Sequence, residues 1–555
     1  MKIDKIISLS VLSSVVLFGA NVPTVNSGNI EKQLIAPKVP MEKKENVQIQ
    51  GLDNKDVVKT DVSDSKIFIK DFTFTGNSVI SSEELKSNLK DYVNKELIFN
   101  QIQEVIANIT KLYQTKGFFI GRAYLQKQDL IKNDNVLNIT ILEGKLDELK
   151  LNNSSLVNNS SLEAVLNGVK SNDILNVYDI EKIMLLINDR AGVMVNSVNI
   201  SPGEKIGTSN FNIETVPENR VDGYVVADNY GSRYTGYNRF QGLVNINSPF
   251  NIGDKLTISG IVSNGADLKN GRLAYELPLM SNGLKANFAY SRTNYNLVKE
   301  YKALDADGKS DVYEVGLSYP IMLKNDSALY TRAKYYHKDM KDYIDNKNID
   351  LGDKKIDSVV ATLDFYKNYS FFNLPARIST NLNFTSGYLK DKLNSNNSGR
   401  YNKIDTTILN DIAFSNIFSL SSSLTAQKVL GNKNLDGSED FSLGGAYGVR
   451  VYPYSEQSGE NGYILNLELL SKLPNIFSYS HKVGVFYDMG DVYQKHQDAN
   501  FERRVLKDVG LGYYANYKDL FLRTQIAWTL NSKEITSENT NHKNGKFLIQ
   551  AGLVF

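Results

Sequence analysis

The sequence predicts a transmembrane β-barrel of sixteen antiparallel strands, preceded by two small α/β modules. Three observations lead to this fold class. Helical periodicity is confined to the first 217 residues, and sixteen strand-like segments fill the chain from Val221 onward. The connections between these segments alternate between short and long. The chain also ends in an alternating segment, KFLIQAGLVF, whose last residue is aromatic.

The composition argues against several classes of function. The 555 residues include 63 basic and 62 acidic ones, so the formal net charge of +1 gives no indication of nucleic-acid binding. There are no cysteines, which rules out disulfides and thiolate catalysis. The four histidines are scattered, and the sequence holds neither a zinc-binding spacing nor a nucleophile elbow. We therefore expect no metal, no cofactor, no nucleic-acid partner and no enzymatic activity.

Residues 1–27 have the pattern of a secretory signal peptide. Two lysines precede an apolar run over residues 6–20, which is short for a helix that crosses a bilayer. The cleavage point stays open between Ala20 and Ser27, and a membrane anchor is the less favoured alternative. Because no run of 18 apolar residues follows, an exported chain of this kind can span a membrane only as a closed barrel.

Two modules follow a polar segment, residues 28–65, in which a short helix and a linker are predicted. Residues 66–145 show the order strand, helix, helix, strand, strand, and residues 146–217 repeat this order with little sequence similarity. The second helix of the first module has the clearest signal, because its apolar residues share one face. They are Ile102, Val105, Ile106, Ile109, Leu112 and Tyr113.

The barrel is predicted over residues 220–555. Connections after its even-numbered strands are short, and most of those after its later odd-numbered strands are long and polar. Outer-membrane barrels show this asymmetry, and a soluble β-sandwich, the structural alternative, does not explain it. The strands are predicted to start near Tyr224, Tyr237, Lys255, Arg272, Leu284, Asp311, Ala328, Ile356, Ala376, Ile404, Leu420, Gly462, Lys482, Val505, Phe521 and Lys546.

Alternation within the strands separates a lipid side from a lumen side. In the fifteenth strand, apolar residues from Leu520 to Leu530 share one face, while Arg523 lies on the other. A charge facing lipid costs about 2–4 kcal/mol at mid-depth, so Arg523 is expected to face a watery lumen. Alternation places Asp488 on the lumen side of its strand, and we expect Glu468 to face the lumen as well.

Three segments of the modules, FTFTGNSVISSEEL and YQTKGFF in the first and LNVYDIEKIMLLINDRAGVMV in the second, carry a resemblance to a known family. They resemble the first and the second polypeptide-transport-associated (POTRA) domain of the two-partner secretion transporters (TpsB proteins) of the haemolysin secretion/activation family. VVADNYGSRYTGYNRFQGLVNINSPFNIGDKL resembles the entry to the family's barrel. The resemblance covers nearly the whole chain. It implies two POTRA domains in the periplasm and a barrel embedded in the lipid of the bacterial outer membrane.

The resemblance also implies a plug loop over residues 429–461. In the family, the tip of this loop folds back into the barrel, and its arginine pairs with an aspartate on the inner wall. Here these residues are Arg450 and Asp488. The chain departs from the family pattern at Val451, where glycine is usual, and a valine disfavours positive φ. The implied loop motif is Gly444, Gly445, Val449, Arg450 and Tyr452, and the implied wall motif is Phe486, Asp488 and Gly490.

By resemblance, the function is secretion of one large partner exoprotein, an adhesin or a haemolysin or cytolysin with an N-terminal secretion domain. The POTRA domains would bind that domain while it is extended. A barrel-insertion factor of the same superfamily is the first alternative, although such proteins usually carry more POTRA domains. A diffusion porin is the second, and two folded periplasmic modules are hard to explain for it. A barrel enzyme is the third, and the chain lacks its motifs.

The barrel predicts where the protein is found and how it migrates on gels. The mature chain should fractionate with outer membranes. It should also migrate differently in gel electrophoresis before and after boiling, because a closed barrel resists detergent until heated. A mature chain that is fully soluble without detergent would contradict the barrel.

Overall fold

The computed structural model describes residues 25–40, 49–50 and 65–555, apart from residues 346, 348, 394, 477–478, 498–500, 532–534 and 539–543. Most of the predicted signal peptide and most of the predicted linker lie outside the described residues. Among the helices that are described, none is long and apolar enough to cross a bilayer.

The N-terminal described segments contain helix α1 (Ser27–Lys32) and strand β1 (Ile49–Gln50). The side chain of Asn26 accepts a hydrogen bond from the backbone N–H of Asn29 and so caps α1. Cleavage after Ser27 would remove both this cap and the first residue of the helix. We therefore expect cleavage at the earlier of the two predicted sites, at Ala20.

The first module packs two helices on a three-stranded sheet. In this sheet β6 lies between β3, to which it is parallel, and β5. The apolar face predicted for the long helix α3 supplies the core, in which Val105 and Ile109 are fully buried. The elements are β2 (Ile67–Ile69), β3 (Asp71–Thr75), α2 (Ser82–Asn88), β4 (Lys95–Leu97), α3 (Phe99–Thr115), β5 (Arg122–Tyr124) and β6 (Val136–Leu142).

The second module has the same layered arrangement, and the linker extends its sheet. Its strand β9 lies between β7 and β8, and β1 pairs in parallel with the outer side of β8 through Val198 and Asn199. The module therefore has a four-stranded sheet instead of the predicted three. Its elements are β7 (Lys145–Asn153), α4 (Asn159–Leu166), α5 (Val177–Asn188), β8 (Met194–Pro202) and β9 (Thr208–Val216).

The remaining chain closes into a barrel of sixteen antiparallel strands, which confirms the predicted fold class. The largest offset from prediction is at the eighth strand, which begins at Ile349 and not near Ile356. The added residues are mostly polar and carry no apolar alternation. The strands are β10 (Val221–Asp228), β11 (Arg239–Asn247), β12 (Lys255–Ser263), β13 (Leu268–Pro278), β14 (Lys285–Asn296), β15 (Asp307–Leu323), β16 (Ser327–Ile344), β17 (Ile349–Phe371), β18 (Leu374–Asp391), β19 (Gly399–Ala413), β20 (Phe418–Leu430), β23 (Asn461–Lys472), β24 (Tyr479–Tyr493), β25 (Leu506–Tyr517), β26 (Leu520–Thr529) and β27 (Gly545–Val554). Between β20 and β23 lie two short strands, β21 (Phe441–Ser442) and β22 (Ser458–Gly459).

The first and last strands close the barrel. Strand β10 pairs with β27, and the terminal Phe555 exchanges two backbone hydrogen bonds with Gly223, of 2.9 and 3.0 Å. A side chain at Gly223 would lie 2.1 Å from the carbonyl oxygen of Leu243 and 2.9 Å from the ring of Phe555, so only glycine fits at this position. The C-terminal segment therefore completes the sheet and leaves no open edge.

The strands follow the predicted division between lipid and lumen. Val485, Ile526 and Trp528 are exposed on the outside, whereas Asp488 and Gln525 are buried on the inside. Strands β15 to β18 have 17 to 23 residues, although about 9–11 residues suffice to cross the hydrocarbon core. These four strands are therefore longer than a crossing of the hydrocarbon core requires.

Glu143 joins three elements of the first module. Its carboxylate, buried at the end of β6, accepts hydrogen bonds from the backbone N–H groups of Ser78 and Val79, at 2.6 and 2.8 Å, and from the hydroxyl of Tyr113 at 2.9 Å. The Ser78 hydroxyl also donates to it. Burial by itself raises the pKa of Glu143, but the hydrogen bonds to the charged form outweigh this and hold the pKa below its usual value.

We expect Glu143→Gln to destabilise the first module by about 2 kcal/mol, because a charged acceptor of several hydrogen bonds is lost. In the detergent-solubilised full chain, the helix signal in circular dichroism should then melt roughly 10 °C lower at pH 7. Because the folded pKa is lowered, the stabilisation is present above the unfolded pKa and is lost as pH falls through the folded value.

The control for this prediction is Glu84→Gln. Glu84 forms an exposed ion pair with Lys116, in which its side chain is 46% exposed, so this change should leave the melt nearly unaltered. An equal effect of the two substitutions, or a difference between wild type and Glu143→Gln that does not shrink as the pH is lowered, would contradict the assigned role of Glu143.

Candidate functional site

Residues 431–460, which connect β20 to β23, fold back into the barrel lumen and are called the plug loop here. Strands β21 and β22 form a small hairpin at its base. Leu443, Val449 and Tyr452 of the loop are fully buried and pack with Phe486 and Ile464 of the wall. The loop thus has an apolar core of its own in the middle of a polar lumen.

Glycines allow the loop and the wall to approach each other closely. A Cβ at Gly444 would lie 1.8 Å from the carbonyl oxygen of Pro453, and Gly445 has a φ of +99°. On the wall, a Cβ at Gly490 would lie 2.9 Å from a methyl group of Leu443. The glycines predicted in the two motifs are therefore required because a side chain at these positions would clash or strain the backbone.

Arg450 lies at the loop tip and contacts the wall. Its Nε is 3.1 Å from Oδ2 of Asp488, and its Nη2 is 3.2 Å from Oε2 of Glu468. Its guanidinium carbon lies 3.9 Å from the centroid of the Phe486 ring. The predicted contact between Arg450 and Asp488 is present, but the guanidinium bridges two carboxylates instead of placing its fork on one. We call Arg450, Asp488 and Glu468 the latch.

Val451 occupies the position where the sequence raised a question about the backbone turn. Its φ is not positive, so a β-branched residue fits without strain. Its backbone N–H donates to Oδ2 of Asp508 at 2.7 Å, and its side chain is buried. The departure from glycine therefore does not disturb the loop tip.

The tip is bound by a row of four wall residues on neighbouring strands. Asn466, Asp488, Asp508 and Thr529 are consecutive register partners across β23, β24, β25 and β26. The row contacts four residues of the tip, between Gly448 and Tyr452, in chain order. Asn466 donates to the carbonyl of Gly448 at 2.9 Å, Asp488 accepts from Arg450, Asp508 accepts from Val451, and the hydroxyl of Thr529 is 2.5 Å from that of Tyr452.

Three members of this row, Asn466, Asp508 and Thr529, were not singled out from the sequence. Each lies on the lumen side of an alternating strand, which the pattern shows. That they stand level with Asp488 depends on strand register, and alternation alone does not set register. The sequence therefore shows that these residues face the lumen, but it does not show at which level along the barrel they lie.

Lysines on the wall hold the base of the plug loop. Lys354 lies 2.5 Å from Asp436, and Glu439 lies between Lys403, at 2.8 Å, and Lys338, at 3.2 Å. All three lysines come from the wall, and both acids come from the loop. These pairs have low exposure, so removing one partner leaves a poorly hydrated charge.

Helix α1 lies inside the barrel beside the loop. The N–H and hydroxyl of Ser27 donate to the carboxylate of Asp342 on β16, at 2.9 and 3.0 Å. A side chain at Gly28 would collide with Cβ of Ser438 in the plug loop, and Lys32 donates to the carbonyl of Asp440. The predicted short helix is thus a second element that fills the lumen, together with the plug loop.

Glu456 fixes the loop at its other end. Its buried carboxylate accepts from the backbone N–H groups of Thr536 and Ser537, at 3.1 and 3.0 Å, and pairs with Arg504. These partners lie in the connections β24–β25 and β26–β27. The remaining predicted lumen residue, Arg523, lines a cavity below the loop tip together with Glu468. No cluster of metal-ligating side chains occurs within the part of the chain that the structure describes.

The family model described as haemolysin secretion/activation protein ShlB/FhaC/HecB matches residues 207–514 of this chain. The chain belongs to this family. A ShlB-type POTRA domain matches residues 67–144, which agrees with the first module. The chain is therefore an outer-membrane transporter of the two-partner secretion class, with POTRA domains in the periplasm.

Individual relatives agree with this assignment. The heme/hemopexin transporter protein HuxB of Haemophilus influenzae is 26% identical over 429 residues, covering 75% of this chain and 74% of the relative. The outer membrane transporter CdiB of Escherichia coli is 25% identical over 421 residues, covering 72% and 68%. The solved structure of CdiB from Escherichia coli has a TM-score of 0.73 at 21% identity and covers 91% of this chain and 93% of its own.

We expect Arg450→Ala to impair secretion while leaving membrane insertion largely intact. The substitution removes the cation from two poorly hydrated carboxylates, and breaking such a pair costs about 3–5 kcal/mol. Asp488→Ala should act through the same contact, so the double variant should be little worse than Arg450→Ala. Arg450→Lys should rescue poorly, because lysine lacks the planar fork that reaches both acids.

The measurement is partner protein in the medium, normalised to transporter in the outer membrane. Arg503→Ala is the matched control, because Arg503 pairs with Asp491 but its side chain is 55% exposed. Its loss should change secretion little. If the defect of the double variant equals the product of the two single defects, Arg450 and Asp488 act independently and the latch is wrong.

Proposed function

We propose that this transporter recognises one large exoprotein, an adhesin or a haemolysin or cytolysin with an N-terminal secretion domain, and secretes it through the barrel. The observation that carries the proposal is that the lumen is filled by two elements, α1 and the plug loop, which polar contacts hold to the wall. A structural plug would need only an apolar core. Polar contacts can be replaced one at a time by contacts to an entering polypeptide, which suits a channel that opens for an exoprotein.

The position of the second module supports its role in delivering the exoprotein. Asp189 of this module lies 2.9 Å from Lys285 of the barrel, and Glu181 accepts from the backbone N–H of Asn325 at 2.8 Å. Asn325 lies in a short turn between barrel strands, on the periplasmic side. A segment bound to this module is therefore held next to the barrel entrance.

Recognition by strand addition fits the small sheets of the modules. An extended segment that adds to a sheet edge gains main-chain hydrogen bonds, and the pockets between side chains supply specificity. In the second module, β1 already occupies the outer side of β8. An exoprotein segment that uses this edge must displace residues 49–50.

The energy for transport has no visible nucleotide source. The sequence contains Gly308-Lys309-Ser310, but Ala303 stands where a phosphate-cradling loop requires its first glycine, so this motif is absent. We infer that folding of the exoprotein outside the cell buries apolar surface and biases its movement outward. The same argument requires the exoprotein to stay unfolded in the periplasm.

Binding of the unfolded secretion domain to the full transporter tests the recognition step. Titration of the detergent-solubilised chain should show binding, and the same domain, once folded, should bind much more weakly. Replacing both Ile49 and Gln50 by proline removes the N–H groups of β1 and should strengthen binding if β8 is the edge used. No binding, with secretion still dependent on residues 66–217, would reject recognition by these modules.

A further inference from the structure

A cavity of about 320 Å³ lies in the lumen directly below the tip of the plug loop, and we call it the entrance cavity. Its wall residues come from the ends of β20, β23, β24, β25 and β26 that join short turns. Because the POTRA domains precede β10 on the periplasmic side, these ends face the periplasm. A chain that enters the barrel passes this cavity before it reaches the latch.

The entrance cavity carries an excess of positive charge. Lys38, Arg450, Lys482 and Arg523 line it, whereas Glu468 is its single lining carboxylate among the described residues. Arg450 is already paired within the latch. Among the described residues, no carboxylate oxygen lies within 4.0 Å, the ion-pair distance, of a side-chain nitrogen of Lys38, Lys482 or Arg523.

The partners that these cations have instead are weak. The Nζ of Lys38 lies 5.4 Å from the ring centroid of Tyr447, and that of Lys482 lies 5.5 Å from the ring centroid of Tyr514. Aromatic faces attract a cation but do not neutralise it. Arg450 itself retains an unused donor, because its buried Nη1 makes no hydrogen bond to any described residue. The cavity is therefore short of anionic acceptors.

The neutral lining indicates what kind of anion fits. Asn466, Asn516 and Gln525 line the cavity together with Ser421 and Ser423. Amide and hydroxyl groups can satisfy the backbone N–H and C=O groups of an extended chain, which a simple inorganic ion does not need.

We propose that the entrance cavity binds an acidic side chain of the exoprotein in transit, with Lys482 and Arg523 as its main partners. This rests on the proposed function, since it assigns the transported polypeptide as the ligand. An aspartate or glutamate held there meets Arg450 and competes with Glu468 and Asp488 for its donors. Entry of the exoprotein and loosening of the latch thereby become one event.

Short peptides test the site without the exoprotein. Calorimetric titration of the detergent-solubilised full chain at low salt should show binding of a capped tetraglutamate peptide and none of a capped tetraglutamine peptide. Lys482→Gln and Arg523→Gln should each weaken tetraglutamate binding by about tenfold, because each removes a charge-assisted hydrogen bond. Lys482→Arg should keep most of the binding, which shows that the site tolerates replacement of the side chain.

Lys255→Gln is the matched control. Lys255 also faces the lumen near the periplasmic end of its strand, but it lines a different cavity, beside Glu276. This change should leave tetraglutamate binding unaltered. Equal binding of the glutamate and glutamine peptides, or an equal loss with Lys255→Gln, would overturn the proposal. Inorganic phosphate that binds as tightly as the peptide, with the same loss in both variants, would also overturn it.

The titration tests the entrance cavity and the secretion assay tests the proposed function, so either proposal can be rejected without the other. Peptide binding requires only the cavity, whereas the proposed function is judged by whether exoprotein reaches the medium. Tetraglutamate binding without any secreted exoprotein would contradict the proposed function. Secretion that proceeds normally while the cavity binds no acidic peptide would overturn the entrance cavity as a binding site.

Discussion

The resting structure depends on one constraint, namely that the guanidinium of Arg450 is nine-tenths buried inside the barrel and must be paired there. Its partners Asp488 and Glu468 have to stand on the lumen side of neighbouring strands, at the heights that the loop tip reaches. The observed register of β23 and β25 against β24 meets this requirement and brings Asp508 level with Asp488. The loop in turn needs its glycines to bring the arginine down to that level.

The other contacts of the plug follow from the same constraint, because a charged tip cannot hold a loop of this length alone. The wall lysines Lys338, Lys354 and Lys403 fix the acidic base of the loop, and Glu456 fixes its outer end. Helix α1 fills space beside this base and contacts it at Gly28. The polar contacts among these are ion pairs or hydrogen bonds to poorly hydrated groups, so opening requires new partners for each of those groups.

An entering polypeptide can supply such partners, which connects the plug with the charge of the entrance cavity. The residues of the loop tip donate or accept hydrogen bonds to the row of wall residues through backbone or side-chain groups. An extended chain can offer groups of the same kind to that row. In the proposed mechanism, the POTRA domains hold such a chain at the barrel entrance and thereby raise its local concentration beside the latch.

The sequence predicts the barrel well, because alternation and loop length report directly on a membrane barrel. It places Asp488 and Arg523 on the correct side for the same reason. It does not show that α1 lies inside the lumen, since six residues of helix look alike in any environment. Nor does it place Asp508 level with Asp488, or match Glu439 with its lysines, because those contacts depend on strand register and on the path of a long loop. The added strand β1 was missed, since two residues carry no periodicity.

The most direct test of the account is a reversible tether between the loop tip and the wall. The chain has no cysteines, so Val451→Cys with Asp508→Cys introduces the only pair able to form a disulfide. The account predicts that the oxidised pair stops secretion of the exoprotein, that reductant restores it, and that neither single variant responds to reductant. Full secretion by a transporter shown to be cross-linked would contradict the claim that the plug loop must leave its wall contacts during transport.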